Sequence, residues 1–214
     1  MKVILACAGI LLLCTTVACS RVQAKENFNI KKFKGLWYGI AMGSDCDWFK
    51  NQKKSNEMCA AIMKPKDNDD LKVIRTTSKA LNCKTVKNTF KKTEQPGVFH
   101  FHSTCWGGDS EIYITDTDYE RYALIYVNMT EKRMSCTFMK LLGRSKTVDQ
   151  TYKDKFEQLV EKSGLDKNII EYLNPDDMCP PPPPEKEFVF CQDYSCIVNP
   201  LTNLFHSVVD SITS

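Results

Sequence analysis

The groups in this chain best able to do chemistry are its cysteines, eleven in 214 residues. Three of them, at positions 7, 14 and 19, fall in an apolar N-terminal stretch; the others are Cys46, Cys59, Cys83, Cys105, Cys136, Cys179, Cys191 and Cys196. A cysteine attacks as the thiolate, and its free pKa near 8.5 means that it needs a neighbouring cation or hydrogen bonds to be reactive. Oxidised in pairs, the same residues become disulfides, the default in a secreted chain. Their spacing matches no Cys-x-x-Cys zinc pattern, and three histidines add little to a metal site. No cofactor is expected.

The compartment follows from the N-terminus. Lys2 precedes an apolar run, Val3 to Leu13, and Val22-Gln23-Ala24 offers residues suited to cleavage. Residues 1–24 therefore read as a secretory signal, too short and wrongly flanked for a membrane span. Its removal takes two cations, Lys2 and Arg21, from a formal net charge of +3. The small remainder excludes a polyanion-binding surface, so nucleic acid is not an expected partner. What remains is long enough for one domain with a sizeable core, and is expected in the extracellular space.

The elements that would position the cysteines are mostly strands. Gly35-Leu36-Trp37-Tyr38-Gly39-Ile40-Ala41 begins an apolar strand on which Trp37, Gly39, Ala41 and Gly43 share a face by period-two alternation. One large ring followed by three very small residues suits a barrel with a plugged floor and open space above it. Further runs follow at Ser55–Pro65, Leu71–Thr77, Asn82–Lys92, Val98–Thr104, Glu111–Thr115, Tyr119–Val127 and Met134–Leu142, with polar or Pro-Gly turns among them. Eight short strands with local turns imply an all-β, antiparallel up-and-down barrel. Val148, Tyr152, Phe156, Leu159 and Val160 then recur at helical spacing, and Gly164 stops that helix. A short run at Ile169–Leu173 follows.

Gly35-x-Trp37, Thr117-Asp118-Tyr119 and Leu142-Gly143-Arg144 resemble the three signature motifs of the lipocalins, in order and in spacing, and the resemblance covers Asn27 to Cys179. Within that family, Gly43-Ser44-Asp45-Cys46-Asp47-Trp48 resembles alpha-1-microglobulin. Met58-Cys59 and Cys105-Trp106-Gly107 resemble lipocalin-type prostaglandin D synthase. The resemblance implies a lipocalin domain over residues 25–179. Trp37 would seal the closed end beneath the Arg144 guanidinium, a cation–π contact of order 1–2 kcal/mol. It also implies a Cys83–Cys179 bridge pinning the C-terminal segment, and structural roles for Gly35, Asp118 and Tyr119.

The family register sets the expected lining. Cys59, Ala61 and Met63 would face inward from the second strand, and Val73, Arg75 and Thr77 from the third. Phe101, Ser103 and Cys105 would join them, then Ile112 and Ile114, Ala123 and Ile125, and on the last strand Cys136, Phe138, Lys140 and Leu142. Two cations in an apolar barrel await a ligand carboxylate or snorkel to water. By the same parity His100 and His102 lie outside as solvated side chains. The expected function is a secreted carrier of a small hydrophobic ligand: a fatty acid, retinoid, prostanoid or haem-like molecule. Cys59 aligns with the family's isomerase nucleophile, although Gly39, Ala61 and Arg75 stand where that enzyme keeps activating hydroxyls. Cys46 aligns with a reactive thiol at the barrel mouth, which implies a haem or radical scavenger as a further alternative.

A Cys59–Cys136 bridge would have to span about 9.5 Å between strands flanking the first one, against a preferred separation of about 5.5 Å. Cys46 with Cys105, and Cys191 with Cys196 or a barrel thiol, are easier. Asn128-Met129-Thr130 is a glycosylation sequon, expected in the turn between the seventh and eighth strands. Residues 180–214 begin with five prolines, a stiff spacer. They end with Leu201, Leu204, Phe205, Val208 and Ile212 on one face of a short amphipathic helix, a candidate surface for a protein partner.

Overall fold

The computed structural model describes residues 22–51, 58–79, 82–104, 107–131, 134–176 and 178–183. Residues 1–21 of the expected signal, the last of the five prolines and the amphipathic tail lie outside the described residues.

A helical turn, α1 (Ile30–Phe33), leads into β1 (Gly35–Ser44), and a second turn, α2 (Asp47–Lys50), follows it. Seven more strands come next: β2 (Ala60–Pro65), β3 (Leu71–Lys79), β4 (Asn82–Lys92), β5 (Val98–Ser103), β6 (Gly108–Thr117), β7 (Tyr122–Glu131) and β8 (Met134–Gly143). Each pairs antiparallel with the next, and β1 pairs with both β8 and β2, which closes an eight-stranded barrel. Closure removes the free edges that an open sheet of this length would present.

Helix α3 (Gln150–Lys162) packs outside on β8. It buries Tyr152, Phe156, Leu159 and Val160, the face that the sequence period marks. Met139 and Leu141, the outward residues of β8, are fully buried. Gly164, at φ +79°, ends the helix. After a 3-10 turn (Lys167–Ile169), the two-residue strand β9 (Glu171–Tyr172) pairs with Ala41 and Met42 of β1. The lower half of β1, Gly35–Tyr38, pairs with β2, whereas its upper half takes β9. The chain after α3 thus fills the seam where β1 and β2 part, held by Leu173 N–H to Ile40 O (2.9 Å) and Met58 N–H to Asn174 O (3.3 Å).

A bulge at Ile40 changes the face that β1 presents. Gly39 pairs with Leu142, but Ala41 pairs with Leu141 and Met42 with Lys140. One extra residue inverts the alternation above it. Gly43 therefore does not share the inner face of Trp37: a Cβ there would meet Ile169 side-chain atoms at 3.5 Å. A Cβ on Gly39 would meet Leu173 at 3.4 Å. The small residues of β1 make room for the C-terminal segment rather than for a ligand alone. Continued past Ser44↔Phe138, the shifted register brings Cys46 opposite Cys136, and the two are disulfide-bonded. It is not the Cys46–Cys105 pairing that looked easier from the sequence. The Cys83–Cys179 bridge is present as expected.

Candidate functional site

The barrel floor is built around Trp37, which is fully buried. Its indole Nε1 donates to Phe33 O (2.9 Å), and the Arg144 guanidinium lies 3.7 Å from the centre of its ring. Arg144 also donates to four carbonyls: Nε to Tyr119 O (2.9 Å), Nη1 to Leu36 O (2.8 Å), and Nη2 to Lys34 O (2.9 Å) and Lys32 O (3.4 Å). Gly35, at φ +103°, lets the chain turn here, and a Cβ would stand 3.1 Å from Arg144 Nη1. Asp118 caps the β6–β7 turn by accepting from the backbone N–H groups of Glu120, Arg121 and Tyr122. Tyr119, held at φ +69°, offers its hydroxyl to Asn29 N–H (2.9 Å). These residues fasten the closed end and leave none of its charge for a ligand.

Above the floor lies a mostly apolar cavity that opens to solvent. Its wall includes the expected Trp37, Gly39, Ala41, Cys59, Val73, Arg75, Ile112, Ile125, Phe138 and Lys140. Phe101 is buried but is not part of the lining; it packs on Phe90, with ring centres 5.4 Å apart. Cys46 is likewise not part of the lining.

Several lining residues escaped the sequence reading. Met42 enters because of the bulge, and Leu173 through the seam between β1 and β2. Phe33 comes from α1, and Asn88 and Phe90 come from β4. The period-two pattern of β4 was readable, but nothing in it chose the inward face.

At the mouth, α2 folds Trp48 and Phe49 onto Phe138, with ring centres 5.9 and 6.2 Å away. The turn is tied down by Ser44 Oγ donating to Thr137 O (2.7 Å), by Thr137 N–H donating to Asp45 (2.6 Å), and by the Cys46–Cys136 bridge. Asp45, Cys46 and Cys136 bring donor atoms within 4.8 Å of one another. With the two sulfurs joined, this cluster is not a set of metal ligands. Asn128 lies within β7, paired with Thr137, and not in the turn expected from the sequence.

The cavity's charge sits at mid-height. Lys140 is on β8 three residues above Gly143, and Arg75 is on β3 four residues above Leu71. Arg75 is 6 % exposed. The Lys140 ammonium lies 5.2 Å from the centre of the Phe138 ring and has no hydrogen-bond or ion-pair partner among the described residues. Burial pushes its pKa from 10.5 down to about 7, and the positive charge of Arg75 adds to the effect. The arrangement can take an apolar body against the walls and an anionic group between the two cations.

The two thiols that could have been nucleophiles are not free. Cys46 is bonded to Cys136, and Cys59 is also disulfide-bonded, to a partner outside the described residues. A sulfur in a disulfide has no thiolate to offer, so Cys59 cannot act as a nucleophile in this oxidised form.

A closed antiparallel barrel with a plugged floor and an apolar interior defines a small-ligand-binding protein. Residues 34–177 match the Lipocalin / cytosolic fatty-acid binding protein family, and the chain belongs to that family. It is 33 % identical over 158 residues to a protein named Lipocalin from Rhinella marina, covering 74 % of this chain and 86 % of that one. It is 28 % identical over 172 residues to prostaglandin-H2 D-isomerase of Felis catus, covering 80 % and 90 %. Protein AMBP of Bos taurus is 26 % identical over 151 residues, 70 % of this chain but only 43 % of that longer protein. Among solved structures, the siderocalin Ex-FABP, described as functioning through dual ligand specificities, superposes with a TM-score of 0.59 at 26 % identity. That match covers 66 % of this chain and 93 % of Ex-FABP.

Proposed function

We infer that this lipocalin is a secreted carrier of an amphiphilic ligand, an apolar body bearing a carboxylate, held in the barrel cavity. The observation that carries this reading is Lys140: a cation inside an apolar wall, beside Arg75, with no counter-ion among the described residues. Removing charge from water without a partner is unfavourable, and a ligand anion relieves it. A fatty acid, a retinoid acid and a prostanoid all fit that description. The disulfides fit an extracellular site of action, and residues 25–179 would be the binding domain. Among the described residues no helix is long and apolar enough to cross a membrane. Asn128, half-buried within β7, would carry glycan only if modified before the strand pairs.

The test is quenching of tryptophan fluorescence by a fatty acid and by the corresponding alcohol. Saturation at one ligand per chain is expected, with the acid bound more tightly. The preference should vanish in Lys140→Met and fall in Arg75→Met. Equal affinity for acid and alcohol in the wild type would mean that the cations do not read the head group, and no binding by any apolar ligand would refute the carrier itself.

The similarity to prostaglandin-H2 D-isomerase favours a second reading, an endoperoxide isomerase using Cys59. It requires reduction of the disulfide that holds this sulfur. Turnover that appears only after mild reduction and is abolished by Cys59→Ala would support it.

A further inference from the structure

The outer wall of the barrel carries a group of side chains that the cavity does not use. β5 alternates between buried and exposed positions, which places His100 and His102 side by side on the outward face. Same-face neighbours on a strand stand about 6.5–7 Å apart, close enough for two imidazoles to share one ligand. The register with β6 sets Asp109 opposite His102 and Glu111 opposite His100. Asp109 Oδ1 lies 2.9 Å from His102 Nδ1 and 3.2 Å from His100 Nε2, so two ring nitrogens converge on a single carboxylate oxygen. The three side chains are 47, 56 and 54 % exposed, within reach of any ion in solution.

We propose that His100, His102 and Asp109 form a surface site for a divalent transition-metal ion. Two imidazoles and a carboxylate are a donor set that Zn²⁺, Ni²⁺ and Cu²⁺ accept, with water completing the shell. The ion would displace the His102–Asp109 hydrogen bond and the His100–Asp109 contact and form three bonds of about 2.0–2.2 Å. The exposed rings reach that geometry by rotation about their side-chain bonds. Glu111 adds a second negative charge beside His100. The three residues sit on paired strands, so the barrel need not refold around the ion and only the side chains move to close on it. Binding needs unprotonated rings, so acid releases the metal. Cu²⁺ should bind most tightly, in line with the general order of divalent-ion affinities.

The experiment is calorimetric titration of the untagged secreted chain with Zn²⁺, Ni²⁺ and Cu²⁺ at pH 7.5 and pH 5.5. One ion per chain is expected at pH 7.5, with affinity at least tenfold lower at pH 5.5. His100→Ala and His102→Ala should each weaken binding tenfold or more, and Asp109→Asn should weaken it several-fold. His206→Ala, which removes the chain's remaining histidine, should change nothing. His100, His102 and Asp109 lie on the surface, so the melting curves of their variants and the uptake of apolar ligand should match the wild type. Absence of binding by all three ions would overturn the proposal. So would binding that survives in the His100→Ala/His102→Ala double variant, or that depends on His206.

Discussion

The pKa of Lys140 yields a prediction that joins stability to ligand choice. In the empty barrel its pKa falls from 10.5 to about 7. Between these values the unfolded chain holds a proton that the folded chain does not, so stability rises with pH across that window. At about 1.4 kcal/mol per pH unit the rise is at most roughly 5 kcal/mol, and less in practice because the half-buried side chain keeps some contact with water. Below pH 7 both states are protonated, and the penalty is present in full. A bound carboxylate beside the ammonium restores the pKa toward its ordinary value. Binding then takes up a proton, and affinity for an acid falls by about tenfold per pH unit above 7, roughly fiftyfold between pH 7 and 9. Below pH 7 the profile flattens.

The assay is calorimetry with a fatty acid and its alcohol at pH 6, 7, 8 and 9, in two buffers of different ionisation enthalpy. The acid should take up close to one proton at pH 8–9, and the alcohol none. Lys140→Met should abolish the uptake and flatten the profile. The same variant should be more stable than the wild type at pH 7, with the difference shrinking as pH rises toward 10. Comparing the two proteins cancels the alkaline titration of Tyr122 and Tyr172, each raised to about 12 and common to both. Equal acid affinity at pH 7 and 9 with no proton uptake would refute the reasoning.

Three further outcomes concern the frame. Asp70 is buried, and its bonds to Lys91, Lys92 N–H and Asn68 hold its pKa down from 3.8 to about 2. Asp70→Asn should cost about 2 kcal/mol at pH 7 and remove the loss of stability that the wild type shows as pH falls from 4 to 2, as measured by urea melts. A Cβ on Gly143 would stand 2.7 Å from Val148 Cγ1 and 2.8 Å from Ser145 O, so Gly143→Ala should lower stability by about 1–3 kcal/mol, read as a lower melting temperature. Replacing Cys83 and Cys179 by serine opens a loop spanning a sequence separation of 96 and should cost about 4–5 kcal/mol in guanidinium denaturation.

Strand count, helix and closed-end residues were readable because each leaves a strong local mark. Alternation gives the strands, the spacing from Val148 to Val160 gives the helix, and the motifs at Trp37 and Arg144 give the floor. The site was only half readable. A bulge is one extra residue with no composition of its own, so Ile40 gave no warning that Met42 would face in and Gly43 out. The same extra residue places Cys46 opposite Cys136; without it Ser135 would stand there, so nothing in the sequence singled out this bridge. Two residues of β9 are too few to show a period, so Leu173 could not be foreseen in the lining. Disulfide pairing depends on where distant strands come together, and sequence spacing does not carry that.

Arg144 and Lys140, four positions apart in the sequence, separate structure from function. Both are cations of the last barrel strand and its exit, and both lie against an aromatic ring. Arg144 donates to four carbonyls and covers Trp37, so its fork is satisfied largely by the protein itself. Its hydrogen bonds and its contact with Trp37 hold the closed end, even though burial lowers its pKa. Lys140 has one ring face for company among the described residues and a second cation, Arg75, near enough to depress its pKa. Its charge destabilises the empty barrel and is relieved only by something that enters from outside. A residue that lowers the stability of the free protein and regains it on binding is what a ligand-reading group must be, since affinity for the bound state is the difference between the two. Replacing Lys140 by methionine should therefore stabilise the protein and impair it, whereas replacing Arg144 should only destabilise it.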